Sequence, residues 1–400
     1  MEKTYDITPG SKGIQRVQAS PIRAILDRAA VLRGEGNKVI PLSAGEPNFN
    51  TPAPIKEAVK KAIDENYSHY GSNRGLAKLR QILSEQNARE TGVTYDPETE
   101  VFITSSGAEA INNAILAFVD EGDEVIIFTP AFVSYKNLVK FCGGVFVDLP
   151  LKKEDGFQID PAALEAAVTE KTKMIILNNP NNPTGAVYTR ESLAAVAKIA
   201  VEHNLLVVSD EMYSKLTYED ARFTSICEFP GMKERSLIIS GFSKTYAMTG
   251  WRLGWILTDK KLGVPLLRMH QYSTTCSPTF IQKGLADAML LPETQAEVSA
   301  MVGAFARRRQ LILSGLDEIP ALSYVKPYGA FYVMVDVSKT GLTGQEFALR
   351  LLERQFVATV PAIGLGDSCK DFIRISYAAS EEDITEGLRR IRILVEALGA

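Results

Sequence analysis

The sequence predicts a two-part α/β protein, in which a large domain with a mostly parallel sheet covered by helices precedes a smaller α+β domain. Between about residues 100 and 258, short runs of valine, isoleucine and leucine alternate with amphipathic segments, which is typical of parallel strands buried on both faces. After residue 291, long helical patterns are mixed with fewer strands. At 400 residues, the chain is also longer than a single hydrophobic core usually serves.

In the first region, each apolar run leads into a helical or polar segment. Helices are expected at 107–119, 130–141 and 190–204, where apolar residues recur at helical spacing. The runs are uniformly apolar rather than alternating, so both faces of the sheet should be covered. The predicted strands are 101–103, 125–128, 174–177, 205–208, 237–239 and 253–257.

The two ends of the chain are expected to form the smaller domain. Residues 20–36 are the periodic part of an N-terminal arm, which we expect to pack on that domain or on a neighbouring subunit. The predicted boundaries are 1–45 for the arm and part of the small domain, 46–290 for the large domain and 291–400 for the small domain. The C-terminal elements are helices at 292–316, 343–355 and 381–398, and strands at 324–326, 330–335 and 372–377.

Composition excludes several classes of function. The formal net charge of −4 leaves no basic surplus for a nucleic-acid partner. No run approaches the roughly 18 apolar residues of a membrane span, and the N-terminus lacks the pattern of a secretory signal. Four separated cysteines and three histidines predict neither a disulfide framework nor a metal site. We therefore expect a cytoplasmic protein.

Reactive residue types follow the predicted strands, at the sheet edge where ligands of such folds bind. Ser105-Ser106-Gly107-Ala108 opens a helix, where backbone amides can hold a phosphate, although such a segment is also an ordinary N-cap. Asp210 and Tyr213 follow another strand, and an acid at that position either meets a ligand cation or caps the next segment.

Lys244 follows the fifth predicted strand, 237–239, in the segment Ser240–Thr245. Burial lowers the pKa of a lysine and makes its neutral amine available as a nucleophile. A nucleotide-binding P-loop is disfavoured because Ser243 stands where that motif requires glycine. Arg252 and Arg374 could each bind a carboxylate or phosphate through two hydrogen bonds, although an isolated strand arginine is more often a surface residue.

These features occur in one order along the chain, and the whole sequence resembles the class I/II aminotransferases, of fold type I among pyridoxal-phosphate enzymes. The resemblance implies a sheet of the seven-stranded type, pyridoxal 5'-phosphate, amino acid and 2-oxo acid substrates, and a homodimer with shared sites. The sets that carry it are residues 42–49, residues 70–80, Asn182-Pro183-Thr184-Gly185, Asp210 with Tyr213, Ser243-Lys244 with Gly250-Trp251-Arg252, and Arg374-x-Ser376-Tyr377.

The resemblance also implies roles for the catalytic residues. Lys244 would form a Schiff base with the cofactor and then move the proton between the substrate α-carbon and the cofactor. Asp210 would keep the pyridine nitrogen protonated, while Asn182 and Tyr213 would hydrogen-bond the 3′ oxygen of the ring. Arg374 would bind the substrate α-carboxylate.

The remaining roles concern the edges of the site. Phe132 would stack on the cofactor ring, Gly45 would close over the substrate, and Tyr70 would reach the phosphate in the other subunit. The alternatives are plain core packing for Phe132, local packing for Tyr70 and a simple turn for Gly45. The expected phosphate ligands are the amides of Gly107 and Ala108 with the side chains of Ser240, Ser243 and Arg252.

Departures from the family pattern leave the substrate open. Gly241 stands where members often have serine or threonine, and Ala108 where aspartate-specific members often have lysine; residues 361–366 differ as well. We predict a ping-pong aminotransferase with an aspartate or an aromatic or apolar donor, and 2-oxoglutarate or pyruvate as acceptor. The alternatives are a β-C–S lyase or another reaction of the same cofactor. An aminotransferase-like regulator is disfavoured because the first forty residues lack a basic DNA-binding pattern.

Overall fold

A computed structural model describes residues 10–17 and 21–399. This part of the chain contains helices α1 (Lys12–Gln15), α2 (Pro21–Gly34), α3 (Ala53–Asp64), α4 (Ala77–Thr91), α5 (Gly107–Phe118), α6 (Ser134–Cys142), α7 (Pro161–Ala167), α8 (Arg190–Glu202), α9 (Phe242–Thr245), α10 (Lys260–Ser273), α11 (Thr279–Ala288), α12 (Pro292–Asp317), α13 (Gly344–Gln355) and α14 (Glu381–Ala397). Its strands are β1 (Val101–Thr104), β2 (Glu124–Thr129), β3 (Val145–Pro150), β4 (Thr172–Asn178), β5 (Leu206–Asp210), β6 (Ser236–Gly241), β7 (Gly254–Thr258), β8 (Ser323–Tyr324), β9 (Tyr332–Asp336), β10 (Val360–Pro361) and β11 (Phe372–Ser376).

The larger sheet has seven strands in the order β1-β7-β6-β5-β4-β2-β3. Strand β7 runs antiparallel to both of its neighbours, and the other neighbouring pairs are parallel. Because parallel strands end at the same edge, β4, β5 and β6 deliver their last residues to one place. The predicted fold class, a mostly parallel seven-stranded sheet covered by helices with a smaller α+β part, is confirmed.

Both faces of this sheet are buried, as its uniformly apolar strands predict. Successive residues of one strand point to opposite faces. In β4, Ile175 and Leu177 belong to one core cluster, whereas Met174 and Ile176 belong to the other. The helices that form these cores cover the sheet from both sides.

Polar residues set where several of these helices begin. The Thr343 side chain accepts a hydrogen bond from the amide of Glu346, and the carboxylate of Glu346 bonds back to the amide of Thr343. This capping box satisfies amides that have no partner within the helix. Ser380 caps α14 in the same way through the amide of Asp383.

The smaller sheet has the order β10-β11-β9-β8, with all neighbours antiparallel. Helices α12, α13 and α14 share a hydrophobic core with it, and Ile40 and Leu42 from the N-terminal region join that core. Tyr213 and Leu216, which follow β5, also contact it, so this core borders the end of the larger sheet. The division of the chain at residues 45 and 290 remains our proposal.

Helix α2 packs against α13 and the segment that follows it. Ile25, Ala29 and Leu32 form a small cluster with Leu352 and Ala358. The Arg28 guanidinium donates two hydrogen bonds to the carboxylate of Glu353 at 2.6 and 2.8 Å. None of the helices along 10–17 and 21–399 is long and apolar enough to cross a bilayer.

Candidate active site

A cleft of about 390 Å³ lies where the strands of the larger sheet end and the smaller sheet begins. Its lining comes from the segments after β1, β4, β5 and β6, from helix α2, and from β9 and β11. The structure brings most of the residues predicted from the sequence together here. They are Gly45, Gly107, Ala108, Phe132, Asn182, Asp210, Tyr213, Ser243, Lys244, Arg252 and Arg374.

Lys244 is the third residue of the short helix α9, which directly follows β6, and it is half-buried in the cleft. Its Nζ donates a hydrogen bond to the carbonyl oxygen of Gly45 at 2.6 Å. Burial lowers the pKa of Lys244 to about 8, and the nearby carboxylate of Glu46 only partly opposes this effect. A substantial fraction of this amine is therefore neutral near pH 8, and the neutral amine is the nucleophilic form.

Asp210 is the last residue of β5 and is buried. The phenol of Tyr135 donates to its Oδ2 at 2.6 Å, and the amide of Met212 donates to Oδ1 at 3.1 Å. Burial raises the pKa of Asp210, while these two hydrogen bonds and the Lys244 cation favour its charged form. The carboxylate is thus fixed in direction and lies where a cationic ligand group would stabilise it.

Arg374 projects from β11 and is buried. Its Nη1 donates to Oδ1 of Asn182 at 3.0 Å, and its Nη2 donates to the carbonyl oxygen of Ser43 at 3.2 Å. Its Nε is buried without a partner among the described residues. The guanidinium therefore has donors to spare, and its fork suits a carboxylate.

Two tyrosines connect the two sheets beside Arg374. The phenol oxygens of Tyr213 and Tyr332 lie 3.0 Å apart, and the guanidinium carbon of Arg374 lies 4.4 Å from the centre of the Tyr332 ring. Burial raises the pKa of both phenols, so both remain protonated at neutral pH. Tyr332 thus contacts both Tyr213, in the segment after β5, and the arginine of β11.

Helix α5 begins at the edge of the cleft, directly after a strained residue. Ser106 has a positive φ of 103°, and its side chain accepts a hydrogen bond from the amide of Glu109. The amides of Gly107 and Ala108 have no acceptor within residues 10–17 and 21–399. A Cβ on Gly107 would lie 2.5 Å from Cε of Met212, so any larger residue there would require the flexible end of this methionine to move.

Arg252, Ser243 and Phe132 complete the predicted set within the cleft. Arg252 is exposed, adopts a left-handed backbone with φ of 55°, and donates from Nη1 to the carbonyl of Thr249 at 2.9 Å. Ser243 is buried beside Lys244. The Phe132 ring is half-buried and meets the Tyr135 ring edge-on at 5.6 Å.

Two predicted residues lie outside this cleft. The hydroxyl of Ser240 donates to the carbonyl of Glu211 at 3.2 Å, and Ser240 is not among the described lining residues of the cleft, so we leave it out of the phosphate ligands proposed below. Tyr70 is 87% exposed on the surface, beside residues 274–280. Its predicted reach into a second subunit remains a prediction.

Sequence reasoning missed several residues of the cleft. Tyr135 lies three residues after Phe132 in a predicted amphipathic helix, and Tyr332 lies in a predicted apolar strand. In both patterns an aromatic residue is expected to be part of the core, so neither was predicted as a site residue. The Thr249 hydroxyl donates to the carboxylate of Glu46 at 2.6 Å, and this contact joins two segments that are distant in sequence. The residues that were missed include these two tyrosines within regular elements, whose apolar surroundings gave no signal of a site.

Part of the cleft lining is apolar, and we call the five side chains that form it the apolar wall. Its side chains come from α2, α5, the segment before α6, and the turn after β10: Ile22, Leu26, Ile111, Val133 and Leu365. Among the described residues that line the cleft, the lysines and arginines are Lys244, Arg252 and Arg374.

Known proteins match the chain over almost its whole length. The family model for aminotransferase class I and II matches residues 37–391. An aspartate aminotransferase from Pyrococcus abyssi is 39% identical over 381 residues, covering 95% of this chain and 97% of its own length. An aromatic-amino-acid aminotransferase from Thermococcus litoralis is 38% identical, with 95% and 97% covered. The crystal structure of an aromatic aminotransferase from Pyrococcus horikoshii is 39% identical, with a TM-score of 0.88, and covers 93% of this chain and 99% of its own.

Proposed function

The chain belongs to the aminotransferase class I and II family and is an aminotransferase, and on that premise we propose which cofactor, residues and substrates it uses. It transfers the α-amino group of an amino acid to a 2-oxo acid, with pyridoxal 5'-phosphate held at Lys244. The observation that carries this proposal is the half-buried Lys244, with its lowered pKa, in the same cleft as the buried carboxylate of Asp210 and the guanidinium of Arg374.

The cleft fits the cofactor in three respects. The unpaired amides of Gly107 and Ala108, together with Arg252, suit a phosphate at a helix N-terminus. The carboxylate of Asp210 suits a protonated ring nitrogen, and the amine of Lys244 suits an aldehyde. When bound, the cofactor supplies an electron-withdrawing ring that stabilises negative charge at the substrate α-carbon.

Lys244 and Asp210 do the proton work in this proposal. The Nζ of Lys244, once neutral, takes the proton from the substrate α-carbon and then delivers it to the cofactor. Burial keeps a useful fraction of this amine neutral. Asp210, oriented by Tyr135 and the amide of Met212, holds a proton on the ring nitrogen through a charge-assisted hydrogen bond.

The remaining residues orient the ring and the substrate. Asn182 and Tyr213 hydrogen-bond the 3′ oxygen of the ring, and Phe132 covers one face of it. Arg374 binds the α-carboxylate with its unused donors, close to Gly45, whose carbonyl already contacts Lys244. These contacts place the α-carbon near the amine that removes its proton.

The phosphate set includes the amides of Gly107 and Ala108, the Ser243 hydroxyl and Arg252. We propose that Tyr70 of a second copy completes it, so that the active unit is a homodimer. The exposure of Tyr70 supports this, because a phenol that is 87% exposed on one chain is free to bind elsewhere.

The apolar wall favours an amino donor with an apolar or aromatic side chain. The proposed roles use Lys244, Arg252 and Arg374 for the cofactor and the α-carboxylate, so no lining cation among the described residues remains for a second carboxylate. Burying an unpaired carboxylate against Leu26 and Leu365 would be costly. The acceptor is a 2-oxo acid, which enters the same site after the first product leaves, and this order makes the mechanism ping-pong. Because no lining cation in the described part of the chain remains for a second carboxylate, pyruvate fits this site better than 2-oxoglutarate.

Initial rates measured with both substrates varied test this function. Parallel double-reciprocal lines, with amino transfer from phenylalanine or leucine to pyruvate, are expected for a single site used twice. Release of pyruvate and ammonia from one amino acid, without an acceptor, would instead indicate the lyase reaction and contradict the proposal.

A further inference from the structure

A buried histidine and a glutamate form a contact behind the start of α5 that the proposed mechanism does not use. The Nδ1 of His270, near the end of α10, lies 2.8 Å from Oε1 of Glu109, the third residue of α5. The two side chains are only 3% and 12% exposed. A buried contact between two polar side chains needs a structural or functional reason.

Three donors converge on the Glu109 carboxylate. The amide of Ser105 donates to Oε2 at 2.6 Å, and the side-chain amide of Asn113 also donates to Oε1, as does His270. A carboxylate oxygen only accepts, so the imidazole proton on this side must be on Nδ1. The other ring nitrogen, Nε2, is buried without a partner in the described part of the chain. Among the described residues, the side chain of His270 therefore hydrogen-bonds Glu109 alone.

These bonds fix the shape of the turn that begins α5. Ser105 is held by the carboxylate of Glu109, and Ser106, with its strained φ of 103°, is held by the amide of the same residue. The amides left over are those of Gly107 and Ala108, two residues that line the cleft. The bonding of Glu109 thus selects which amides remain for a ligand.

The carboxylate of Glu109 would also oppose a bound phosphate. An unneutralised negative charge within one helical turn of the Gly107 and Ala108 amides repels a phosphate group. The three donors hold this charge behind the turn, and Glu109 is absent from the described lining of the cleft. Loss of one donor would weaken both the neutralisation and the orientation of this carboxylate.

We propose that His270 and Glu109 are positioning residues that hold residues 105–108 in the shape that binds the cofactor phosphate. This inference rests on the proposed function, because it takes these amides as phosphate ligands. Neither residue touches the cofactor, and the pair acts through the turn alone.

Comparing pyridoxal phosphate with pyridoxal, which lacks the phosphate, isolates this role. Each is titrated into the full chain stripped of cofactor, and the dissociation constant is read from absorbance. His270→Leu should raise the Kd for pyridoxal phosphate about tenfold, the loss expected for one charge-assisted hydrogen bond, and leave that for pyridoxal unchanged. His270→Asn should restore tight binding, because its side-chain amide can replace the Nδ1 donor and Nε2 has no partner to lose.

The chain offers a matched control pair. His203 contacts Glu165 through Nε2 at the same distance of 2.8 Å, but on the exposed surface. His203→Leu should leave both dissociation constants unchanged. In a Glu109→Gln background, the effect of His270→Leu should become much smaller, since the carboxylate it neutralises is gone.

The outcomes separate this inference from the proposed function. If His270→Leu binds pyridoxal phosphate as the parent does, or loses pyridoxal to the same extent, the pair does not position a phosphate site and the inference is wrong. If the parent binds neither compound, the proposed cofactor itself is wrong, and this inference is wrong with it.

Discussion

The phenol oxygens of Tyr213 and Tyr332 lie 3.0 Å apart, and this contact joins the segment after β5 to the first residue of β9. Both phenols are buried and protonated at neutral pH, since burial raises the pKa of each. If Tyr332 donates to Tyr213, the proton of Tyr213 is directed away from Tyr332. Tyr332 would then set the direction in which Tyr213 donates.

Tyr332→Phe should lower kcat/KM about tenfold, the effect of losing one orienting hydrogen bond. The loss should appear mainly in kcat, because a phenylalanine ring still packs under Arg374 and the binding of the α-carboxylate is kept. Steady-state kinetics on the parent and the variant measure this. Tyr218→Phe is the control, because this buried phenol bonds to the carbonyl of Ala330 outside the described lining of the cleft. Equal losses in both variants would contradict the role given to Tyr332.

The pKa of Lys244 predicts how fast the stripped protein attaches its cofactor. Because burial lowers this pKa to about 8, the neutral amine is abundant above that pH. The attachment rate should rise with pH up to about 8 and then level off. An exposed lysine, with its ordinary pKa near 10.5, would give a rate that keeps rising through pH 9 and 10. Stopped-flow absorbance across this range distinguishes the two profiles.

The same shift predicts a dependence of stability on pH. The unfolded chain binds the Lys244 proton more tightly than the folded chain does, because burial lowers the pKa of Lys244 from 10.5 to about 8. The contribution of Lys244 to the free energy of unfolding therefore becomes more favourable to the folded state as the pH rises from about 8 to about 10.5. Below pH 8 the folded chain holds a destabilised ammonium. Lys244→Met should therefore raise the Tm of the stripped protein at pH 7 and have little effect near pH 10.5. Equal shifts at both pH values would show that the amine is not destabilised by burial.

The apolar wall predicts a change of donor preference when a cation is introduced. Leu26→Lys, on the part of α2 that lines the cleft, should raise the ratio of kcat/KM for aspartate to that for phenylalanine by about tenfold, as one charge-assisted pair would. Val31→Lys is the matched control, because it lies on the same helix, is 51% exposed and is not among the described lining residues. An unchanged ratio in Leu26→Lys would mean that the side chain of the donor does not meet this wall.

Sequence reasoning predicted the large sheet because six of its strands are buried on both faces and show as apolar runs. It missed β3, the edge strand next to β2, whose residues are mostly half-buried and which follows Gly143-Gly144 without a long apolar run. Helices α3, α4, α10 and α11 were also not assigned, because their patterns lie in regions where no strand marked the boundaries. The position of β7 antiparallel within the sheet has no local signal in the sequence.

The candidate site was predictable where side chains follow strand ends, as for Asp210 and Lys244, because parallel strands deliver these ends to one edge. Within a strand the prediction depends on which face each residue occupies. All six residues of β6 are buried, so the burial pattern of this strand does not show which face each residue occupies, and the hydroxyl of Ser240, expected as a phosphate ligand, instead donates to the carbonyl of Glu211. Tyr332 and Tyr135 could not be singled out because an aromatic residue in an apolar stripe is usually core.

The most direct test of the central claim is the location of the bound cofactor on the chain. Protein loaded with pyridoxal phosphate is reduced with borohydride, digested and analysed by mass spectrometry, beside Lys244→Ala treated in the same way. We predict that the parent carries the reduced cofactor on Lys244 and that the variant carries none at any lysine. Cofactor found on another lysine of the parent, or an unchanged amount bound to Lys244→Ala, would contradict the account.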